Sequence, residues 1–159
     1  MTELDAVRDA YLSLVDCHTV TAELLRKSSK GRTFHGTSFL GQPPDETKRL
    51  LVQAKMELDD WAIVGLVSTF ERILFTHDRS PLRSKPLRKG AEGLHDAIKL
   101  FEKRVKSPVY KDVERLCYYR DWVAHGKRWG NPVPADPVNA YQRLVDFLTQ
   151  AKLETKSYD

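Results

Sequence analysis

The sequence predicts an all-α fold: a helical bundle of about five helices with one long central member. Apolar residues recur at steps of three and four along most of the chain, the spacing of a helix with one buried stripe. The eight glycines and eight prolines gather in a few places, as loops between long helices require. No stretch keeps the strict alternation of a half-buried strand.

The 159 residues suit a single domain, 1–159, with enough chain to bury a core. A first helix is predicted from Thr2 to Ser28, capped by Thr2 with Glu3 and Asp5 in its first turn. Val7, Tyr11, Leu14, Val15, His18 and Ala22 form its inward stripe. A long loop over 29–44 follows, marked by Gly31, Gly36, Gly41, Pro43 and Pro44. The second helix runs from a cap at Asp45 to about Thr76. Its apolar residues, among them Leu51, Leu58, Trp61, Val64, Phe70 and Phe75, go most of the way round it. Such a helix is expected to be buried, at the centre of a bundle or under a partner subunit.

The segment 77–90 is a basic loop, with Arg79, Arg83, Lys85, Arg88 and Lys89 against Asp78, kept extended by Pro81 and Pro86. A third helix is predicted over Ala91–Lys106, with Leu94, Ile98, Phe101 and Val105 inward. Ser107 and Pro108 open a fourth. It ends at His125-Gly126, where Gly126 suits the left-handed position just past a helix end. Asp136-Pro137 opens a last helix, with Val138, Tyr141, Leu144, Val145 and Leu148 inward.

Charge and composition exclude several classes. Hydrophobic residues make up 41% and charged residues 30%, a globular balance. The net charge of +4 permits nucleic-acid binding without demanding it. Two separated cysteines, Cys17 and Cys117, fit neither a disulfide framework nor a zinc site, and suit a reducing cytoplasm. The first residues carry no secretory pattern. No apolar run reaches the ~18 residues of a spanning helix, so no membrane association is expected.

The chemistry-bearing residues gather at the end of the fourth helix. Arg120 falls on the same stripe as Val109, Val113 and Leu116, so its guanidinium starts from the core-facing side. Asp121 and His125 are four apart and share the next face. An imidazole beside a fixed cation is a workable pair for phosphodiester chemistry. The plainer alternative has Arg120 pairing an acid and His125 capping carbonyls. Glu71, set among Val67, Phe70, Leu74 and Phe75, is read as a buried carboxylate that needs a partner, and Arg120 is the natural one.

The stretch Tyr119-Arg120-Asp121-Trp122-Val123-Ala124-His125-Gly126 resembles the Rx4-6H motif of HEPN domains and its usual surroundings. Its place at the end of a late helix in an all-α bundle is similar too. Many members of that family are metal-independent RNases of toxin–antitoxin, abortive-infection or other defence systems, and they dimerise so that two motifs share a cleft. The resemblance implies RNA as substrate, a homodimer, and an antitoxin or other defence protein as partner. It casts His125 as general base on the ribose 2′-hydroxyl or acid on the leaving oxygen, and Arg120 as the group that steadies the phosphate. Asp121 would orient or tune the pair, and Glu71 would hold Arg120. Family toxins paired with a nucleotidyltransferase often carry a modified tyrosine two residues past the histidine. Here that position is Lys127, which points to another partner or subfamily.

Lys127, Arg128, Arg79, Arg83 and Lys85 are the residues expected to contact RNA phosphates. Trp122 and Trp129 are read as core or dimer packing, His18 as a packed core residue, and Cys117 as core. His35, His77 and His95 are scattered without ligand spacing, so no metal or other cofactor is expected. No GxGxxG, P-loop or GxSxG occurs. The alternative to the RNase is a non-catalytic HEPN-like bundle that holds RNA or a protein.

Overall fold

Thr2 and Asp5 open the first helix by exchanging hydrogen bonds: Thr2 Oγ1 accepts from the Asp5 amide at 3.1 Å, and Asp5 Oδ2 accepts from the Thr2 amide at 2.7 Å. This reciprocal cap satisfies amides that have no partner inside the helix. The computed structural model describes residues 2–27, 36–77, 80–84, 93–127, 130 and 132–153. Among these there are six helices and no strand: α1 (Glu3–Lys27), α2 (Pro44–Thr76), α3 (Pro81–Ser84), α4 (Leu94–Lys99), α5 (Ser107–Ala124) and α6 (Pro137–Ala151). No helix among the described residues is long and apolar enough to cross a membrane.

α2 is the central helix and packs on α1, α3, α5 and α6. Its C-terminal half supplies Ile63, Leu66, Val67, Phe70, Ile73 and Leu74 to the core. Phe147 of α6 stands edge-on to Phe70, with ring centroids 5.2 Å apart, and to Phe101 at 5.8 Å. Each such contact adds about 0.5–1.5 kcal/mol beyond the buried area.

The outer half of the α1–α2 pair is different. From Leu12 to Lys27 no residue is buried, and from Pro44 to Asp59 only Thr47 is. The two helices pack on each other there without a third layer. Tyr11 donates to Asp59 at 2.7 Å, Lys55 pairs with the same carboxylate at 2.6 Å, and His18 Nε2 donates to the Leu51 carbonyl at 3.0 Å. His18 is thus a half-buried tie between helices and not a core residue.

Several expectations need correction. α2 is not buried on all sides: Trp61 is 69% exposed, and Val52 and Met56 lie open in the uncovered half. Leu14 also leaves the inward stripe of α1 and is exposed. The predicted third helix shrinks to α4. Beyond Lys99 the chain turns through Leu100–Val105, which still buries Phe101 and Val105. α2 begins at Pro44 with no side-chain cap, so Asp45 falls in the first turn. Lys106, not Ser107, precedes α5, and its amide donates to Gln150 Oε1 at 2.8 Å. Asp136 does cap α6, accepting from the Asn139 amide. Residues 29–35 of the 29–44 loop and residues 78–79 and 85–90 of the basic loop lie outside the described residues, and Pro81–Ser84 forms one helical turn instead of extended chain.

Asp5 also accepts from the Tyr141 hydroxyl at 2.6 Å, which ties α1 to α6. That bond first, and the Thr2 amide next, lower the Asp5 carboxyl from its ordinary 3.8 to about 2. A carboxyl depressed in the folded state adds stability above its unfolded value and loses it as the pH falls through the folded one. Asp5→Asn is expected to lower stability at neutral pH by about 1–2 kcal/mol, the scale of hydrogen bonds to a charge. Its deficit against the wild type should shrink as the pH falls from 3.8 towards about 2, measured by denaturant unfolding across that range.

Candidate functional site

α5 carries Val109, Val113 and Leu116 on its buried stripe, and Arg120 is the next residue along it. The guanidinium therefore emerges at the edge of the core, with its side chain 17% exposed, and the surroundings must compensate its charge. Two acids do so. Arg120 Nη1 donates to Glu71 Oε2 of α2 at 3.1 Å. Arg120 Nε lies 2.8 Å from Asp121 Oδ1. The second contact is an ion pair by distance, poorly aligned as a hydrogen bond, so the buried Nε–H is not satisfied by direction.

The other oxygen of Asp121 reaches α4. His95 Nε2 is 3.0 Å from Asp121 Oδ2. The result is a chain of four side chains from three helices: Glu71, Arg120, Asp121 and His95. Beneath it Cys117 is fully buried, and burial pushes its thiol up to about 12. That thiol packs and does not react.

His125 follows one turn beyond Asp121 and ends α5 as its exposed C-cap. Gly126 takes φ 75°, its amide donates to the Val123 carbonyl at 2.9 Å, and the Lys127 amide donates to the Trp122 carbonyl at 2.8 Å. These two bonds form a Schellman motif, which fixes the backbone that carries His125.

Lys127 takes the left-handed conformation as well, φ 59°, although only glycine does so without penalty. Its ammonium folds back onto α2, 2.7 Å from Asp60 Oδ2 and 3.2 Å from Glu57 Oε1. Asp60, and after it Glu57, hold that ammonium above the usual lysine range. Tyr119 donates its hydroxyl to the other oxygen of Asp60. Burial, then the Asp60 carboxylate, keep the Tyr119 hydroxyl well above the usual phenol range. A second acid of α2 is thereby matched to α5, about three turns from Glu71.

Of the residues read from the sequence, Arg120, Asp121 and Glu71 come together, and His125 stands one turn away. Glu71 is partly open, at 31%, where burial was expected. Trp122 is half-buried against the core and donates to the Gly130 carbonyl at 3.2 Å. Arg79, Lys85, Arg128 and Trp129, and the side chain of Arg83, lie outside the described residues. Sequence reasoning missed His95 and the Asp60–Tyr119–Lys127 set. Asp60 had a legible signal: it precedes Ile63 and Val67 by three and seven residues, on the same helical face. His95 had a weaker one, its place at the edge of the Leu94–Ile98 stripe.

No group of three or more metal-ligating side chains occurs among the described residues. Comparison of the chain with protein-family models, with characterised proteins and with solved structures yields no match. The likeness to HEPN domains therefore rests on the motif and its setting.

Removing Glu71 strips Arg120 of its well-aligned partner. Because the pair is partly solvated, Glu71→Ala is expected to destabilise by about 1–2 kcal/mol, below the roughly 3–5 kcal/mol of a fully buried pair. Urea unfolding of the two proteins measures the difference, with Glu71→Gln expected to fall between them.

Proposed function

We propose that the protein is a metal-independent endoribonuclease of the HEPN class, acting in the cytoplasm as a toxin or anti-phage effector. The observation that carries this reading is the setting of the Arg-x4-His stretch. Arg120 and Asp121 are held by partners from two other helices, and His125 sits exposed on a helix end of fixed geometry. Arg120 would steady the scissile phosphate and its growing negative charge. His125 would move a proton at the ribose, and Asp121 would orient the pair. Arg79, Arg83, Lys85 and Arg128 are proposed to track the RNA backbone. Lys127, committed to Asp60 and Glu57, would act mainly by shaping the loop after His125. A non-catalytic module that holds RNA or a protein is the second reading. It is favoured by the engagement of Arg120 with two carboxylates.

The same reading includes a homodimer. Its support is the uncovered outer half of α1–α2, where Leu14, Val20, Leu24, Val52 and Met56 are exposed. Lys127 reaches Glu57 at the base of that half, so a second copy seated there would lie beside the motif. Light scattering at tens of micromolar is expected to give the mass of two chains, and Met56→Asp to shift it towards one. A monomeric wild type would remove the dimer.

Purified protein is expected to cut RNA but not DNA, undiminished by chelator, leaving a 2′,3′-cyclic phosphate or the 3′-phosphate derived from it. Arg120→Ala and His125→Ala should each slow cleavage by about 10²–10⁴-fold, the range for a lost acid–base group or lost charge stabilisation. Their helical circular dichroism should match the wild type. Cleavage abolished by chelator, or His125→Ala at the wild-type rate, would leave the binding module as the better account.

A further inference from the structure

Cleavage through the 2′-hydroxyl needs two proton movements, one off the attacking oxygen and one onto the leaving oxygen. The motif itself supplies one histidine per chain. His95, 26 residues upstream of Asp121 and on a different helix, supplies another at the same cluster. We propose that His95 is a second catalytic residue, the general acid that protonates the leaving 5′-oxygen, held in place by Asp121. This rests on the ribonuclease reading above.

The geometry favours that role. A carboxylate can only accept, so Nε2 of His95 carries the proton shared with Asp121 Oδ2 at 3.0 Å. That leaves Nδ1 as the exchanging nitrogen, and it has no partner among the described residues. The His95 side chain is 36% exposed and Asp121 33%, so the ring is partly open to solvent.

Charge points the same way. Glu71 of α2 and Asp121 of α5 face Arg120 of α5, which leaves one negative charge uncompensated in the cluster. His95 is the third partner of these carboxylates, with its Nε2 3.0 Å from Asp121 Oδ2. On α4 itself Asp96 is paired with Lys99 at 2.9 Å and does not replace Asp121 as the partner of the ring.

The reaction closes without another reagent. His125 takes the proton of the 2′-hydroxyl, and O2′ bonds to phosphorus. The P–O5′ bond breaks with its electron pair on O5′, and His95 delivers its Nδ1 proton to that oxygen. The products are a 2′,3′-cyclic phosphate and a 5′-hydroxyl, and the two histidines have exchanged protonation states.

The test uses one RNA oligonucleotide cut by the wild type, made with oxygen or with sulfur at the 5′-bridging position of the cleaved bond. A thiolate leaves without a proton, so the sulfur substrate needs no general acid. His95→Gln keeps an N–H for Asp121 but has no proton to transfer. It is expected to cut the oxygen substrate about 10²–10⁴-fold more slowly than the wild type and the sulfur substrate at close to the wild-type rate. His95→Asn should repeat the pattern, and His125→Ala should slow both substrates. Should His95→Gln match the wild type on oxygen, or lose equally on both, the general-acid role is overturned while the ribonuclease reading stands. Should the wild type cut no RNA at all, both are overturned together.

Discussion

A guanidinium that leaves a helix from its core-facing stripe has to be met where it emerges. Arg120 imposes that requirement, and much of the local architecture answers it. Glu71 lies on the part of α2 that packs beside α5, and Asp121 turns back towards its neighbour. His95 of α4 then takes the remaining carboxylate oxygen. One charge thereby sets the register of α2 against α5 and gives α4, only six residues long, a polar anchor beyond its buried Leu94, Ala97 and Ile98. The arrangement is exposed enough to be solvated and enclosed enough to be ordered, a combination that apolar packing alone does not produce.

Asp60 plays the matching role at the other end of the same contact. It is 7% exposed and would be a costly group to bury alone. The Tyr119 hydroxyl and the Lys127 ammonium satisfy one oxygen each. Lys127 can reach it only because the chain turns left-handed twice after His125. The conformational penalty at a non-glycine residue, on the order of 1–2 kcal/mol, is offset by its ion pair with a desolvated acid. The helix end that presents His125 is therefore held from both sides, by backbone bonds to Trp122 and Val123 and by a side chain anchored in α2.

Four long helices, the ending of α5 just before Gly126 and the Glu71–Arg120 contact were legible in the sequence. Each is dictated by residues close together or by a charge that leaves few alternatives. Periodicity reports which face of a helix is apolar, but not how far its neighbours extend along it. Val52 and Met56 continue the buried face of α2 yet stand open, because α5 ends beside Glu57 and Asp60. Trp61 was misread for a related reason, since an apolar side chain on a mostly apolar helix says nothing of what lies opposite. His95 was passed over because its partner is remote in sequence, and the turns between α4 and α5 decide which way the ring faces. Asp60 was not singled out, although its helical position placed it among core residues.

The two-layer outer half of α1–α2 has a bearing on how the molecule moves. It is tied by Tyr11, Lys55, Asp59, His18 and Leu51 and buries almost nothing, while the inner half is fastened to the phenylalanine cluster. Segments with few buried apolar contacts open at free energies well below that of global unfolding. The long helices therefore do not act as rigid rods from end to end. Each has a firm half and a half that can fray, and the boundary runs past Asp60, beside the end of α5. Fluctuations of the outer half are thus transmitted to the anchor of Lys127 before they reach the core, which makes the loop after His125 sensitive to whatever quiets or disturbs that hairpin.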